Sequence, residues 1–284
     1  MIPRNVKIKI LDRNKNLINV DYPAYLYGLV SGLKIKKDKN WHSLILVAGD
    51  VGSGKSTLVK GLAALDCQLN NLHLTLDDFN WSMDKVISAM DSEDNIGRPI
   101  ISDEWIQSGG SRGFALTNIG NKLKIGFVTK RFKKNTYYLL ADEIQEFPEK
   151  LIKMADAVII TESQGLSRGY WKCWTNKANI YFVWNGLKNM GKSWHSKEIK
   201  EKRPCAFGKF PDYSDLFVDE KEFDKRKLQE TKQNEEEVTD KKTVGLHNAI
   251  KHLKEQGLSH TRIADIVGYS AKHIGEILRK KNTT

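Results

Sequence analysis

Within nine residues, from Gly49 to Thr57, the chain places three glycines, one lysine and three hydroxyl side chains. The order is Gly49, Asp50, Val51, Gly52, Ser53, Gly54, Lys55, Ser56 and Thr57, which matches G-x-x-x-x-G-K-[ST]. Glycine at positions 52 and 54 lets backbone N–H groups approach phosphate oxygens, and a helix beginning at the end of the run adds its partial positive charge. In that chemistry Lys55 reaches the β and γ phosphates, Ser56 coordinates Mg²⁺, and Thr57 lies near the α phosphate. The expected ligands are ATP and Mg²⁺.

A magnesium nucleotide also needs a carboxylate on a neighbouring strand tip. PIISDEW, residues 99–105, supplies Asp103 after an apolar run, with Glu104 beside it. Asp103 would hold the metal through water, and Glu104 would polarise the water that attacks the γ phosphate. The adjacent pair favours hydrolysis. TLDDF, residues 75–79, resembles the acidic strand tip of nucleoside kinases and keeps phosphate transfer open, although Asp77 and Asp78 also suit the start of the helix expected over 82–90, or the wall of the nucleotide pocket. A glycine-rich stretch with Arg112 follows the acidic pair, and YYLLADEIQ ends in Asp142, Glu143 and Gln145, polar groups placed to sense a γ phosphate.

These residues need a scaffold. SLILVAG, residues 43–49, is the continuous apolar run of a strand covered on both faces, and STLVKGLAAL has helical spacing. NLHLTL reads as a strand, SMDKVISAM as a helix, RPIISDEW as a strand, residues 118–132 as a helix, NTYYLLADE as a strand, and PEKLIKMA with DAVIITES as a last helix and strand. Such alternation predicts an α/β, three-layer fold with a mainly parallel sheet. YWKCWTN and NIYFVWNG read as two antiparallel strands extending the sheet edge, with their tryptophans filling a sheet–helix seam rather than stacking on bases. VKIKIL and PAYLYGLVSGLKI form a strand and helix that lead in over residues 1–40.

The chain has 284 residues, and 46 Lys and Arg against 35 Asp and Glu give it a net charge of +11, which suits a polyanionic partner. Cys67, Cys173 and Cys205 are scattered and lack metal-site spacing, and no apolar run approaches membrane-spanning length. The expectation is a cytoplasmic protein with inert thiols and no membrane insertion.

The organisation expected is a catalytic domain over 41–218, a charged linker over 219–242 with almost nothing to bury, and a small all-α domain over 243–284. In the tail, Ala264 is small where helices meet, Gly268 sits at a turn, Ile274 and Ile277 face a small core, and VGLHNAIKHLKEQG forms a leading helix. This segment resembles resolvase- and sigma-type helix-turn-helix units. The resemblance implies a second helix capped by Ser270 that presents Ala271, Lys272 and His273 to DNA, with Arg279 and Lys280 available to phosphates. His247 and His252 are five residues apart, which does not stack them as metal ligands.

Over about residues 40–185, the order of phosphate loop, Asp103–Glu104 strand, Ser111–Arg112, Arg131 and Asn135, polar-tipped strand and DAVII resembles the FtsK/HerA-type pumping ATPases, especially the zonular-occludens-toxin-like members. That family places glutamine at the polar tip, where this chain has Asp142, with Gln145 three residues on. The resemblance implies a homo-oligomer, in some cases a ring, acting on double-stranded DNA, with Arg112 or Arg131 reaching a neighbour's nucleotide.

Overall fold

The computed structural model describes residues 5–103, 125–127, 129–164, 167–192, 197–213 and 215–279. Glu104, Arg112 and Lys280 lie outside them, as do the side chains of Arg131 and Arg279. The chain divides into two compact units, one ending at Lys227 and the other starting at Leu228.

The first unit opens with a hairpin, β1 (Asn5–Leu11) and β2 (Leu17–Pro23), leading into α1 (Ala24–Asp38). Then come β3 (Ser43–Ala48), α2 (Lys55–Leu69), the short β4 (Phe79–Asn80), α3 (Met83–Asp91), β5 (Pro99–Ser102) and β6 (Thr136–Ala141). After these follow α4 (Glu149–Met154), β7 (Ala157–Gln164), β8 (Ser167–Trp174), α5 (Lys177–Lys188), α6 (Lys197–Glu201) and β9 (Ala206–Lys209). Among the described residues seven strands form one sheet in the order β4-β5-β6-β3-β7-β8-β9. Pairing is parallel from β4 through β7 and antiparallel for β7–β8 and β8–β9.

Strand β3 is buried along its whole length and alternates between two cores. Ile45 and Val47 face one core with α1, α2 and the hairpin residues Ile10, Val20 and Tyr22. Leu44, Leu46 and Ala48 face the other, with Met83 and Val86 of α3, Leu151 of α4 and Val183 of α5. A strand covered on both faces needs apolar residues at every position, which explains the unbroken run in its sequence. The lead-in segment belongs to the same core.

Two expectations give way here. NIYFVWNG is helical: Ile180, Val183, Trp184 and Leu187 recur at three- and four-residue spacing and are buried together, and Asn176 Oδ1 caps the helix from Asn179 N at 3.1 Å. Its aromatic content suggested a strand, but its periodicity is that of a helix. The antiparallel extension therefore consists of β8 and β9. NLHLTL is not a strand either; Thr75 and Asp78 close a capping box around a single 3₁₀ turn at Leu76–Asp78. Trp171, Trp174 and Trp184 are all buried, so they serve packing.

The second unit contains most of α7 (Glu220–Glu255), a continuous helix, followed by α8 (His260–Val267) and α9 (Ala271–Arg279). The helix thus covers the stretch expected to link two domains. Ile250, Ile263, Ala264, Ile274 and Ile277 form a small core. Gly257 and Gly268 take positive φ at the two turns, Ser259 caps α8, and Ser270 Oγ accepts from His273 N at 3.2 Å at the start of α9. Lys272 and His273 are exposed. No described helix is long and apolar enough to cross a membrane.

Lys37 and Asp66 form a fully buried ion pair, with Nζ 2.7 and 2.8 Å from the two carboxylate oxygens and 3.0 Å from Gly97 O. Removing one buried partner strands the other charge. Asp66→Ala should lower the unfolding free energy by about 3–5 kcal/mol, while the joint replacement Lys37→Met with Asp66→Leu should recover most of the loss. Urea denaturation of the three proteins measures both effects.

Candidate functional site

The loop between β3 and α2 is shaped by backbone that side chains other than hydrogen rarely tolerate. Gly52 and Gly54 have φ of 79° and 98°, and Gly54 is the N-cap of α2. A Cβ at Gly49 would lie 2.2 Å from Thr161 O and 2.4 Å from Thr161 Oγ1, so β7 packs directly beneath the loop. Ser53 is fully buried, and its Oγ lies 2.6 Å from Thr161 Oγ1. Ser53 therefore pins the loop to the sheet through its side chain. Gly169 N, donating to Ser53 O at 3.3 Å, ties in β8.

Ser56 Oγ donates to Asp103 Oδ1 at 2.9 Å, joining the start of α2 to the tip of β5. Asp103 is 2% exposed. Its second oxygen accepts from Lys227 Nζ, in α7, at 3.1 Å. Lys55 Nζ reaches Gly49 O at 2.5 Å, Asp50 O at 3.2 Å and Asp142 Oδ1, at the tip of β6, at 2.8 Å. Asp142 is well exposed, whereas the side chain of Lys55 is mostly covered.

These groups surround a cleft of about 590 Å³, a size suited to a nucleotide. Val51, Gly52, Gly54, Lys55, Ser56 and Thr57 line it from the loop, Asp103 and Asp142 from the strand tips. Gly49, Asp50 and Ser53 do not line it. From the turn after β6 the polar residue entering the cleft is Glu146, whereas Gln145 offers its backbone carbonyl to Lys188. Gln145 is not among the residues that line the cleft. Burial holds the Glu146 carboxyl above its ordinary range, against backbone donation, with the charges of Asp142 and Glu143 adding to the rise.

Asp77 and Asp78 serve neither the cleft nor α3. Asp78 is bound by Arg98, whose Nε and Nη2 each lie 2.8 Å from its carboxylate oxygens, and Asp77 pairs with Arg226 at 2.8 Å. Ser82 caps α3 instead, accepting from Lys85 N. Asn135 is also structural: buried, it donates to Asn95 O and Arg98 O.

Sequence reasoning missed Arg168, Glu146 and the first two turns of α7, where Glu220, Phe223, Asp224 and Lys227 form one wall of the cleft. A signal was present. Phe223 is an isolated aromatic in a run of charges, and it is buried against Phe79 and Trp81 at ring separations of 5.1 and 5.4 Å.

A metal fits this site. Ser56 Oγ and the Asp103 carboxylate are hard oxygen donors beside the lysine of the loop, and Mg²⁺ is usually held by one or two such groups plus phosphate oxygens and water. Among the described residues no group of three His, Cys, Asp or Glu could hold a metal ion.

Strand β6 lies between the loop strand β3 and the acid strand β5, so the tip bearing Asp142 stands between Lys55 and Asp103. The arrangement is compatible with a P-loop NTPase-like fold. No family model matches the chain, and no curated protein matches it. A solved structure, the N-terminal domain of zonular occludens toxin from Neisseria meningitidis, is similar over 62% of this chain and 99% of its own, at 14% identity and a TM-score of 0.44.

Asp142 both occupies Lys55 and places negative charge in the cleft beside it. Asp142→Asn should tighten ATP binding by about threefold to fivefold, because an exposed pair of this kind is worth up to about 1 kcal/mol. ADP binding should change less, and the gain should shrink at high salt; titration with a fluorescent nucleotide checks all three.

Proposed function

We propose that the protein is a Mg²⁺-dependent ATPase that works on double-stranded DNA, translocating or remodelling it in the packaging, transfer or maintenance of a viral or plasmid genome. The observation that carries the ATPase reading is the 2.9 Å bond from Ser56 Oγ to Asp103 Oδ1, at the mouth of a glycine loop bearing Lys55. Lys55 and the loop N–H groups would bind the triphosphate, and Ser56 and Asp103 would hold Mg²⁺, which supplies charge neutralisation of the phosphates when bound. Glu104, next in sequence to Asp103, is assigned the positioning of the attacking water. Hydrolysis is favoured over nucleoside phosphorylation because Asp77 and Asp78, the acids available to a kinase, are held by Arg226 and Arg98.

The DNA reading is supported by the C-terminal unit. Its two short helices meet at Gly268, Ser270 caps the second, and Lys272 and His273 are exposed on it. Lys251, Lys254, Arg262, Lys272, Arg279, Lys280 and Lys281 outnumber Glu255, Asp265 and Glu276 over residues 243–284. Action as a homo-oligomer, in a ring, with Arg112 or Arg131 reaching a neighbouring nucleotide, belongs to the same proposal.

ATP hydrolysis measured with and without double-stranded DNA tests it. Turnover should rise with DNA, vanish with Lys55→Ala and fall by about 10²–10⁴-fold with Glu104→Gln. Lys272→Glu with Arg279→Glu should weaken DNA binding and remove only the stimulated part. Nucleotide binding without turnover would instead point to a DNA-binding regulator switched by nucleotide, and phosphate transfer dependent on Asp77 or Asp78 to a kinase.

A further inference from the structure

Asp103 is a buried carboxylate with both oxygens engaged, Oδ1 by the Ser56 hydroxyl and Oδ2 by the ammonium of Lys227. A hydrated Mg²⁺ at Ser56 needs the same carboxylate, since its water ligands donate to whatever oxygen of Asp103 they meet. Oδ1 already accepts from the residue that would bind the metal, so Oδ2 is the oxygen the metal's water needs. An ammonium group 3.1 Å from that oxygen competes for its lone pairs and repels a divalent cation at close range.

Lys227 does not reach Asp103 from a loose end. Phe223, one helical turn earlier, is buried between Phe79 and Trp81, and Glu220 pairs with Lys60, whose Nζ also lies 3.8 Å from the Phe223 ring centre. Arg226 pairs with Asp77. The first turns of α7 are therefore docked, with Asp224 and Lys227 facing the cleft.

We propose that Lys227 is a built-in counter-ion of the metal carboxylate, which must release Asp103 before Mg²⁺ can use it. It thereby sets how far the site prefers metal-loaded over metal-free nucleotide. Free ATP, with its higher negative charge, is attracted by Lys227 and leaves the ion pair in place. Metal-loaded ATP breaks it. The inference rests on the nucleotide-binding reading given above, and it adds a residue that the glycine loop and acidic strand do not include.

The test is a pair of binding titrations on the full chain with a fluorescent ATP analogue, one in EDTA and one across a Mg²⁺ series at fixed nucleotide. Lys227→Met should bind nucleotide about tenfold more weakly in EDTA, yet require about tenfold less Mg²⁺ for half-saturation; Lys227→Arg should stay close to the parent in both. A merely structural role would weaken both together. Hydrogen exchange supplies a second readout: Mg²⁺ with ATP should speed exchange over residues 224–227 of the parent, while ATP in EDTA should not. A Lys227→Met protein that binds like the parent, or that shifts both titrations in one direction, overturns the role of Lys227 and leaves the nucleotide site standing. A parent that binds no nucleotide under either condition overturns both.

Discussion

A carboxylate withdrawn from water has to be matched by donors, and Asp103 draws them from two helices at once. Its oxygens take a hydroxyl from the start of α2 and an ammonium from α7, and its backbone N–H donates to Asn80 O on β4 at 3.2 Å. An unpaired buried carboxylate costs several kcal/mol, more than any single surface contact in this unit can return. One side chain thus links loop, acid strand and helix α7 around the cleft.

The loop can meet Asp103 only because the sheet holds it at the right height. Strand β3 registers with β6 on one side and β7 on the other, Ala48 opposite Ala141 and Ile160. Strands β3 and β6 therefore end at the same level, with Gly49 and Asp142 as their next residues, while β7 runs on through Thr161 to Gln164 beside the loop. The absence of a side chain at Gly49 lets Thr161 pack beneath the loop, and the Ser53–Thr161 contact turns that close approach into a hydrogen bond. Gly49 N donating to Asp142 O at 3.1 Å joins the tip of β6. The shape of the loop is thus set by backbone and sheet, and not by Lys55 or Ser56.

The parts of this arrangement that could be read in the sequence are those where one residue type meets one physical need. Glycines at positive φ, a lysine and a hydroxyl at fixed spacing, and an acid closing an apolar strand are of that kind, so the loop and Asp103 were legible. Asp77 and Asp78 were not, because an acid beside a turn serves a cap, a pocket or an arginine equally well, and only the positions of Arg98 and Arg226 decide. Helix α5 was obscured by composition: aromatic and branched residues favour strands, yet their spacing at 180, 183, 184 and 187 satisfies a helix, and tertiary burial decides such cases. The first turns of α7 were obscured by charge, since a run with one aromatic looks like a solvated linker until that aromatic finds a pocket.

That docking also shows how its energy is divided. Phe223 is almost fully buried and stacks edge-on to two rings, worth about 2–4 kcal/mol from burial and aromatic geometry together. The Arg226–Asp77 pair is largely exposed on the aspartate side and contributes at most about 1 kcal/mol. Attachment of the helix therefore depends on the phenylalanine, while the charges select its rotation and register. A change in the partner of Lys227 can rearrange one turn without undocking the helix, because the anchor lies a turn away and is apolar. Helix α7 then continues unbroken to Glu255. Lys227 is thus carried on a helix that begins in the first unit and runs on in sequence into the second.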